Sequence, residues 1–245
     1  MRLTGLHRRL LAAVIDIGSD HPLVLAGGYA VQAHGLVDRL SQDLDVATQD
    51  PAPMAEIAAR LQAGLAERGW RVRLVDADPL AARLMVTDPV TGEDCAVDLL
   101  KEHFWTSPVD TEYGPVLALD TVIGTKVRAL ADRGLARDLI DVHAAARLHG
   151  TRDLERLGAR HARDDGFLLE DLRDRLSGSE WIDDEEFGTY GLDGAAIGEL
   201  RAWALDWAAD LDRRLHHEPD GTGGTDGTDG TDDPGGTDDP RPHLR

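Results

Sequence analysis

The sequence is short of cysteine and of long apolar runs. Its single cysteine, Cys95, excludes an intrachain disulfide framework and a multi-cysteine zinc site. No apolar run approaches the roughly 18–20 residues that a membrane-spanning helix needs. The N-terminus is basic and then apolar, but Asp16 interrupts it and no small-residue cleavage site follows, which indicates an amphipathic helix and not a signal peptide. These absences predict a cytoplasmic protein without a membrane partner.

Lysine and net positive charge are scarce as well. Lys101 and Lys126 are the two lysines among 26 basic residues, and the formal net charge is −20. An acidic surface repels nucleic acid at long range, which counts against a protein that coats DNA or RNA nonspecifically but leaves room for a local basic groove. Because arginine is so strongly preferred, a lysine inside a motif suggests that a compact ammonium is needed there.

Residues 1–150 alternate between helical and strand-like patterns. The predicted elements are, in order, a helix at 3–17, a strand at 22–26, a helix from Tyr29, a strand at 43–48, a helix from Met54, strands in WRVRLVD, ARLMVTD and CAVDLL, and helices from Leu119. Three successive strands without helices between them indicate a mixed sheet and not a fully parallel one. The predicted fold class is therefore α/β (α+β), with a core over residues 1–150.

The rest of the chain divides into two parts. Residues 151–217 predict a helical C-terminal region, whose last helix carries Trp203 and Trp207 on a stripe that faces the core. Residues 218–245 are rich in Gly, Thr, Asp and Pro, with eight acidic residues and almost nothing apolar to bury. Such a composition predicts a disordered tail.

The first candidate site combines two glycines with two carboxylates. The apolar run LVLA ends abruptly on Gly27 and Gly28, and a helix-like pattern then resumes. A strand that turns on glycines into a helix presents backbone N–H groups that suit a phosphate. Asp43 and Asp45, at i and i+2 of the next strand, share a face and can hold a hard divalent cation. This order predicts a site for a metal-bound nucleoside triphosphate.

Asp98, within CAVDLL, is the candidate third carboxylate. An acid among apolar strand residues is costly unless it is paired or binds a metal. The alternative is that Asp98 lies at the end of its strand and pairs with an arginine. In the candidate mechanism a nucleophile attacks the α-phosphate with the help of magnesium. Asp43 and Asp45 hold the metal, while Asp98 completes a second metal position or accepts the nucleophile's proton.

A second group of charged residues lies in KVRALADRGLARDLIDV. Lys126 and Arg133, seven residues apart, share one face of a helix, and Asp138 and Asp141, three apart, share a face of the next. We predict that Lys126 contacts the triphosphate, because lysine is so rare in this chain. For Arg133 and Arg137, plain salt bridges between the two helices remain equally open.

As a set, these motifs resemble the AbiEii/AbiGii-type nucleotidyltransferases of the DNA polymerase β-like superfamily, over about residues 20–150. The matching residues are Gly27, Gly28, Arg39, Ser41, Asp43, Asp45, Lys126, Arg137, Asp138 and Asp141. The resemblance implies a nucleotide-binding set of Gly27, Gly28, Arg39, Ser41 and Lys126. It implies Asp43 and Asp45 as metal ligands, and catalytic assistance from an acid of the Arg-Asp-x-x-Asp motif, which holds Asp138 and Asp141. Asp98 remains the candidate third metal ligand on the strand argument given above.

The same resemblance implies a nucleotidyltransferase fold and a metal-dependent enzyme that transfers a nucleoside monophosphate from an NTP to an acceptor, with Mg²⁺ or Mn²⁺ as cofactor. Characterised toxins of this family transfer nucleotides, some onto tRNA, so tRNA is one expected acceptor and a cognate antitoxin an expected partner. A small cationic acceptor, as in aminoglycoside-modifying nucleotidyltransferases, is the alternative that the acidic charge favours. A non-catalytic regulatory relative is another, against which the intact Asp43, Asp45 and Lys126 argue.

Overall fold

The protein is represented by a computed structural model that describes residues 2–162 and 166–216. The disordered tail predicted at 218–245 lies outside these residues. The helices are α1 (Gly5–Ile17), α2 (Gly27–Ala33), α3 (Met54–Glu67), α4 (Leu119–Arg133), α5 (Ala136–Ala145), α6 (Thr151–Arg160), α7 (Leu169–Ser177), α8 (Asp184–Gly188) and α9 (Gly194–His216). The strands are β1 (Val24–Leu25), β2 (Leu44–Thr48), β3 (Arg71–Ala77), β4 (Ala81–Thr87), β5 (Asp94–Lys101), β6 (Val109–Thr111) and β7 (Gly114–Val116).

The strands form one mixed sheet in the order β3-β4-β5-β2-β1-β7-β6. Strand β2 runs parallel to β5 and antiparallel to β1, while β3, β4 and β5 form an antiparallel run at one side. The predicted α/β class with a mixed sheet is confirmed. Because β2 lies in the middle of the sheet, the acids at its start have neighbouring strands on both sides.

The sequence pattern located most elements but not all of them. Helix α2 begins at Gly27 and not at Tyr29, so both glycines belong to its first turn, and β1 is shorter than the predicted strand at 22–26. The hairpin of β6 and β7 was not predicted, because three-residue strands are too short to show an alternating pattern. Helix α8 was not predicted either, because five residues are too few to show helical periodicity.

One face of the β3–β4–β5 part of the sheet is covered by helices, and the other is open. Along β4, Ala82, Leu84 and Val86 are buried in the core that α1 and α3 share with the sheet. Arg83 alternates with them and therefore projects to the opposite face, where its side chain is 46% exposed. The open face is where the polar side chains of the sheet collect.

Two hydrophobic clusters divide the described residues. The first combines α1, α2, α3 and the sheet, and the second runs from Ile123 in α4 through the later helices to Leu211. Trp207 is buried in this second cluster and Trp203 packs against it, in agreement with the predicted stripe. Helices α4 and α5 thus pack with the C-terminal helices. The domain boundary at residue 150 was drawn from the sequence motifs, and it stays a prediction.

The connection between α4 and α5 brings the second charged motif together. Helix α4 ends at Arg133 and is capped by Gly134, whose φ of 62° is left-handed and suits glycine, and α5 begins two residues after Gly134. The tight turn lays the helices side by side, so the acids of α5 face the cations of α4. Over residues 2–162 and 166–216, no helix is long and apolar enough to cross a membrane.

Candidate active site

A polar cleft of about 290 Å³ opens between the sheet and the α4–α5 pair. It is lined by eight of the residues predicted for the site, namely Gly27, Gly28, Arg39, Ser41, Asp43, Asp45, Asp98 and Lys126. These come from positions up to 99 residues apart in sequence, so the fold assembles them. Asp138 and Asp141 are not part of the lining.

The carboxylates of the cleft are placed by strand pairing. Asp45 on β2 stands directly opposite Asp98 on the parallel neighbour β5, and Asp43 lies two residues before Asp45, just ahead of the first residue of the strand. Burial raises the pKa of the Asp45 carboxyl above its usual value; the ammonium of Lys126 opposes this rise, and the carboxylates of Asp98 and Asp43 add to it. The ionised form of Asp45 is therefore disfavoured, mainly by burial.

The two glycines are required by close approach of the backbone. Gly27 has a φ of 57°, and a Cβ atom there would lie 1.8 Å from Oδ2 of Asp45. A Cβ atom on Gly28 would lie 2.7 Å from Oγ of Ser41. The start of α2 thus touches the carboxylate of β2, and any side chain at Gly27 would collide with it. The two glycines therefore allow close contact with the side chains of Asp45 and Ser41, in addition to forming the first turn of α2.

Lys126 is held by a buried carboxylate that it shares with Arg39. Its Nζ atom lies 2.9 Å from Oδ2 of Asp141. Arg39 donates to the same carboxylate from Nε (3.0 Å, to Oδ1) and from Nη2 (2.7 and 2.6 Å, to Oδ1 and Oδ2). The Arg39 guanidinium also lies over the ring of Tyr190, which joins it to the C-terminal helical region. Asp141 therefore fixes two cations that line the cleft.

Asp138 plays the same structural part for Arg133. It accepts hydrogen bonds from Nε (2.8 Å) and Nη2 (3.0 Å) of Arg133, and its carboxylate is fully buried. The interhelix salt bridge that was one alternative for Arg133 is thus present. Arg137 differs, because its Nη1 atom lies 4.0 Å from Oδ2 of Asp43 on the other side of the cleft. The two acids lie behind the cleft wall. Their contacts show that they position cations, and catalytic assistance from them stays a prediction.

Asp98 forms an ion pair with an arginine, as the alternative to a metal position predicted, but it does so from the interior of β5 and not from the strand end. Arg83 donates from Nε to Oδ1 and from Nη2 to Oδ2, both at 2.6 Å, and its Nη2 lies 4.0 Å from Asp43. Sequence reasoning missed Arg83. The available signal was an arginine within the largely apolar strand ARLMVTD, but its partner depends on the β4–β5 register, which the sequence does not reveal.

The fit of a divalent cation is uneven across the three acids. Asp43 and Asp45 supply the hard carboxylate oxygens that Mg²⁺ and Mn²⁺ prefer, and the two arginines nearest to Asp43, Arg83 and Arg137, both lie as far as 4.0 Å from it. No group of three or more His, Cys, Asp or Glu side chains in residues 2–162 and 166–216 is arranged to hold a metal ion. The residues present fit a cation on Asp43 and Asp45, whereas both carboxylate oxygens of Asp98 accept hydrogen bonds from Arg83.

Further cleft residues were not singled out from the sequence. The additional polar and aromatic lining residues are Gln42, Arg83, Glu102, Thr125, Arg128, Asp132 and Tyr190. Arg128 is anchored by a bidentate pair with Glu102, at 3.0 and 2.6 Å. The wall opposite the carboxylates is therefore rich in fixed cations, although the chain as a whole is acidic. Such a division of charge suits a substrate with several negative groups bound through a metal ion.

A family model and solved structures match the chain. The model described as nucleotidyl transferase AbiEii toxin, type IV toxin–antitoxin system, matches residues 9–229. No curated protein matches the sequence. JHP933 from Helicobacter pylori is similar in structure with a TM-score of 0.52 and 19% identity, over 88% of this chain and 97% of that one. MenT4, a nucleotidyltransferase toxin from Mycobacterium tuberculosis, has a TM-score of 0.52 and 18% identity, over 85% of both chains. At these identities the two structures establish the fold alone.

Proposed function

The chain belongs to the AbiEii nucleotidyl transferase toxin family, and from this premise we propose that it transfers a nucleoside monophosphate from an NTP to an acceptor with the help of a divalent metal ion. Family membership supports nucleotidyl transfer and a role as the toxin of a toxin–antitoxin pair. Metal dependence and the acceptor are our proposal. The observation that carries it is one cleft lined together by Asp43, Asp45, Lys126 and the two glycines at the start of α2.

The reaction exchanges one phosphorus–oxygen bond for another. A hydroxyl oxygen of the acceptor bonds to the α-phosphorus, the bond from that phosphorus to the bridging oxygen breaks, and pyrophosphate leaves with the electron pair. Asp43 and Asp45 would hold Mg²⁺ or Mn²⁺, which neutralises charge on the phosphate oxygens when bound. Asp98, next to Asp45 in the sheet, would take the hydroxyl proton on its carboxylate.

Lys126 and its neighbours would bind the remaining negative charge of the triphosphate. Its ammonium keeps a fixed place against Asp141, so little reorganisation is needed when phosphate arrives. Arg133 and Arg137 line the same wall and add two guanidinium groups. Gly27 and Gly28 let the backbone approach the nucleotide as closely as it approaches Asp45. Each of these groups acts by binding or orienting the substrate.

We propose tRNA as the acceptor, in keeping with a toxin, and a cognate antitoxin as the partner. The net charge of −20 favours a second candidate, a small polycationic acceptor, because an acidic surface attracts cations and repels RNA at long range. The NTP substrate and the single cysteine fit the cytoplasm as the place of the reaction.

The test is a transfer assay with α-labelled NTPs, Mg²⁺ and either total tRNA or an aminoglycoside. Label on RNA supports the toxin proposal, and label on the aminoglycoside supports the second candidate. Asp45→Asn serves as the inactive control, and Arg73→Gln, on the open face of β3 but outside the cleft lining, serves as the control for loss of a charge. Absence of label on either acceptor with all four NTPs would contradict the proposal.

Expression in cells gives an independent check. A toxin is expected to arrest growth when it is produced without its antitoxin, and Asp45→Ala is expected to restore growth at equal protein level. Growth arrest that persists in Asp45→Ala would separate toxicity from nucleotidyl transfer and contradict the proposed role.

A further inference from the structure

Strand register places three charged residues side by side on the open face of the sheet. Arg83 on β4 stands opposite Asp98 on β5, and Asp98 stands opposite Asp45 on β2. The guanidinium of Arg83 meets both oxygens of Asp98 in two bonds of 2.6 Å. A cation that belongs to the protein thus lies two strands away from the Asp45 carboxylate, which is expected to bind the catalytic metal, with Asp98 on the strand between them.

Resting on the metal-dependent transfer proposed above, we propose that Arg83 takes the place of a second metal ion. The cleft binds one divalent cation, on Asp43 and Asp45, and the Arg83 guanidinium provides the second positive charge beside Asp98. Asp98 is then oriented by Arg83 and is not a metal ligand. This assignment selects between the two roles considered for Asp98.

The contact chemistry supports this assignment. A bidentate guanidinium–carboxylate pair is among the stronger charge-assisted interactions, and arginine does not deprotonate in proteins. Hydrogen bonding to Asp98 raises the pKa of Arg83 further. A second divalent ion on Asp98 would have to displace this pair and would meet two neighbouring cations, Arg83 and the first metal. The guanidinium of Arg83 therefore prevents a second metal ion from binding to Asp98.

Arg83 is also placed to contact substrate. Its side chain is 46% exposed and lines the cleft. Asp98 uses Nε and Nη2, so Nη1 takes no part in that pair and is available to a phosphate oxygen. Its 4.0 Å separation from Asp43 puts the guanidinium at the edge of the proposed metal position. A planar cation with a free edge can bind an anionic group there without a coordination shell.

The experiment counts Mn²⁺ ions bound per full-length chain by equilibrium dialysis with Mn²⁺ alone. We expect one ion for the unaltered protein and two for Arg83→Gln, because the released Asp98 becomes available next to Asp45. The double variant Arg83→Gln/Asp98→Asn should return to one. Arg73→Gln removes an exposed arginine from neighbouring β3 and should leave the count at one, which controls for the loss of a positive charge.

The outcomes separate this inference from the proposed function. Two ions on the unaltered protein, falling to one in Asp98→Asn, would overturn the inference and leave metal-dependent transfer standing. A count that stays at one in Arg83→Gln would overturn it as well, because Arg83 would then exclude nothing. No bound ion on the unaltered protein would overturn the metal proposal itself. Far-UV circular dichroism of Arg83→Gln confirms that a changed count does not come from unfolding.

Discussion

Lys126 Nζ lies 2.9 Å from Oδ2 of Asp141, in an ion pair buried between α4 and α5. Asp141 simultaneously accepts the hydrogen bonds of Arg39, so one carboxylate balances two cations that line the cleft. The ammonium is therefore fixed before any nucleotide arrives. Lys126 could act only as a structural ion pair, or it could bind a phosphate while Asp141 holds it in place. The two roles predict different results when Lys126 is substituted.

Lys126→Ala is expected to lower the transfer rate on the order of a hundredfold, because a preorganised charge on the triphosphate is lost. Its stability loss should be only about 1–3 kcal/mol, since Asp141 keeps Arg39 as a partner. Lys126→Arg should rescue activity poorly, because a second guanidinium must share the carboxylate that Arg39 already occupies. One transfer assay and one thermal melt measure both effects. Full activity in Lys126→Arg would show that Lys126 is a structural ion pair and no more.

Asp141→Asn is expected to destabilise the protein by about 3–5 kcal/mol, because it leaves two buried cations without a counter-charge. Urea unfolding measures the loss. Asp138→Asn is the matched control: its carboxylate is equally buried, but its partner Arg133 is 46% exposed and can turn to water. The loss for Asp138→Asn should therefore be clearly smaller. Equal losses would contradict the shared-carboxylate interpretation of Asp141.

The Asp45 carboxyl links stability, pH and metal binding. Burial holds its pKa above the ordinary 3.8, so above pH 3.8 and up to the raised value the folded chain binds more protons than the unfolded chain. The stability contributed by Asp45 is therefore present at low pH and is lost as the pH rises through this window. Asp45→Asn without metal should melt higher than the unaltered protein at neutral pH and show little advantage near pH 3.8.

Metal ions should reverse that ranking. A ligand that binds only the folded state raises the melting temperature, so Mg²⁺ should stabilise the unaltered protein and leave Asp45→Asn unchanged. The same variant should lose transfer on the order of a hundredfold or more. Differential scanning fluorimetry with and without Mg²⁺, at several pH values, tests both statements. An equal Mg²⁺ shift in the two proteins would place the metal elsewhere.

The sequence predicted those parts of the fold and site that leave a local pattern. The strands β3, β4 and β5 are apolar-rich runs separated by turn residues, and the sequence located each of them to within about one residue. The acids Asp43 and Asp45 were placed at the start of a strand because their spacing matches its period. Eight predicted site residues line one cleft, because the fold brings the sequence motifs that contain them together.

Long-range pairing was not predictable in the same way. The partner of Asp98 is Arg83, which the β4–β5 register selects, and nothing local to either residue states that register. Tyr190 reaches the cleft from the turn between α8 and α9, about 150 residues along the chain from Arg39, whose guanidinium lies over its ring. The joining of α4 and α5 to the second hydrophobic cluster likewise depends on packing between helices, which single-helix periodicity leaves open.

Gly27→Ala tests how closely the backbone of α2 approaches Asp45. A left-handed conformation costs an ordinary residue about 1–2 kcal/mol, and the new Cβ would also lie 1.8 Å from Oδ2 of Asp45. The carboxylate must move, so we expect loss of most transfer activity together with destabilisation. Gly35→Ala is the matched control, because Gly35 has a similar φ of 72° but an added Cβ atom there would meet nothing within 4 Å. It should show the backbone cost with activity kept, as measured by urea unfolding and the transfer assay. Equal activity in the two variants would mean that the Asp45 carboxylate tolerates displacement, and its place against the glycine turn would then be incidental to catalysis.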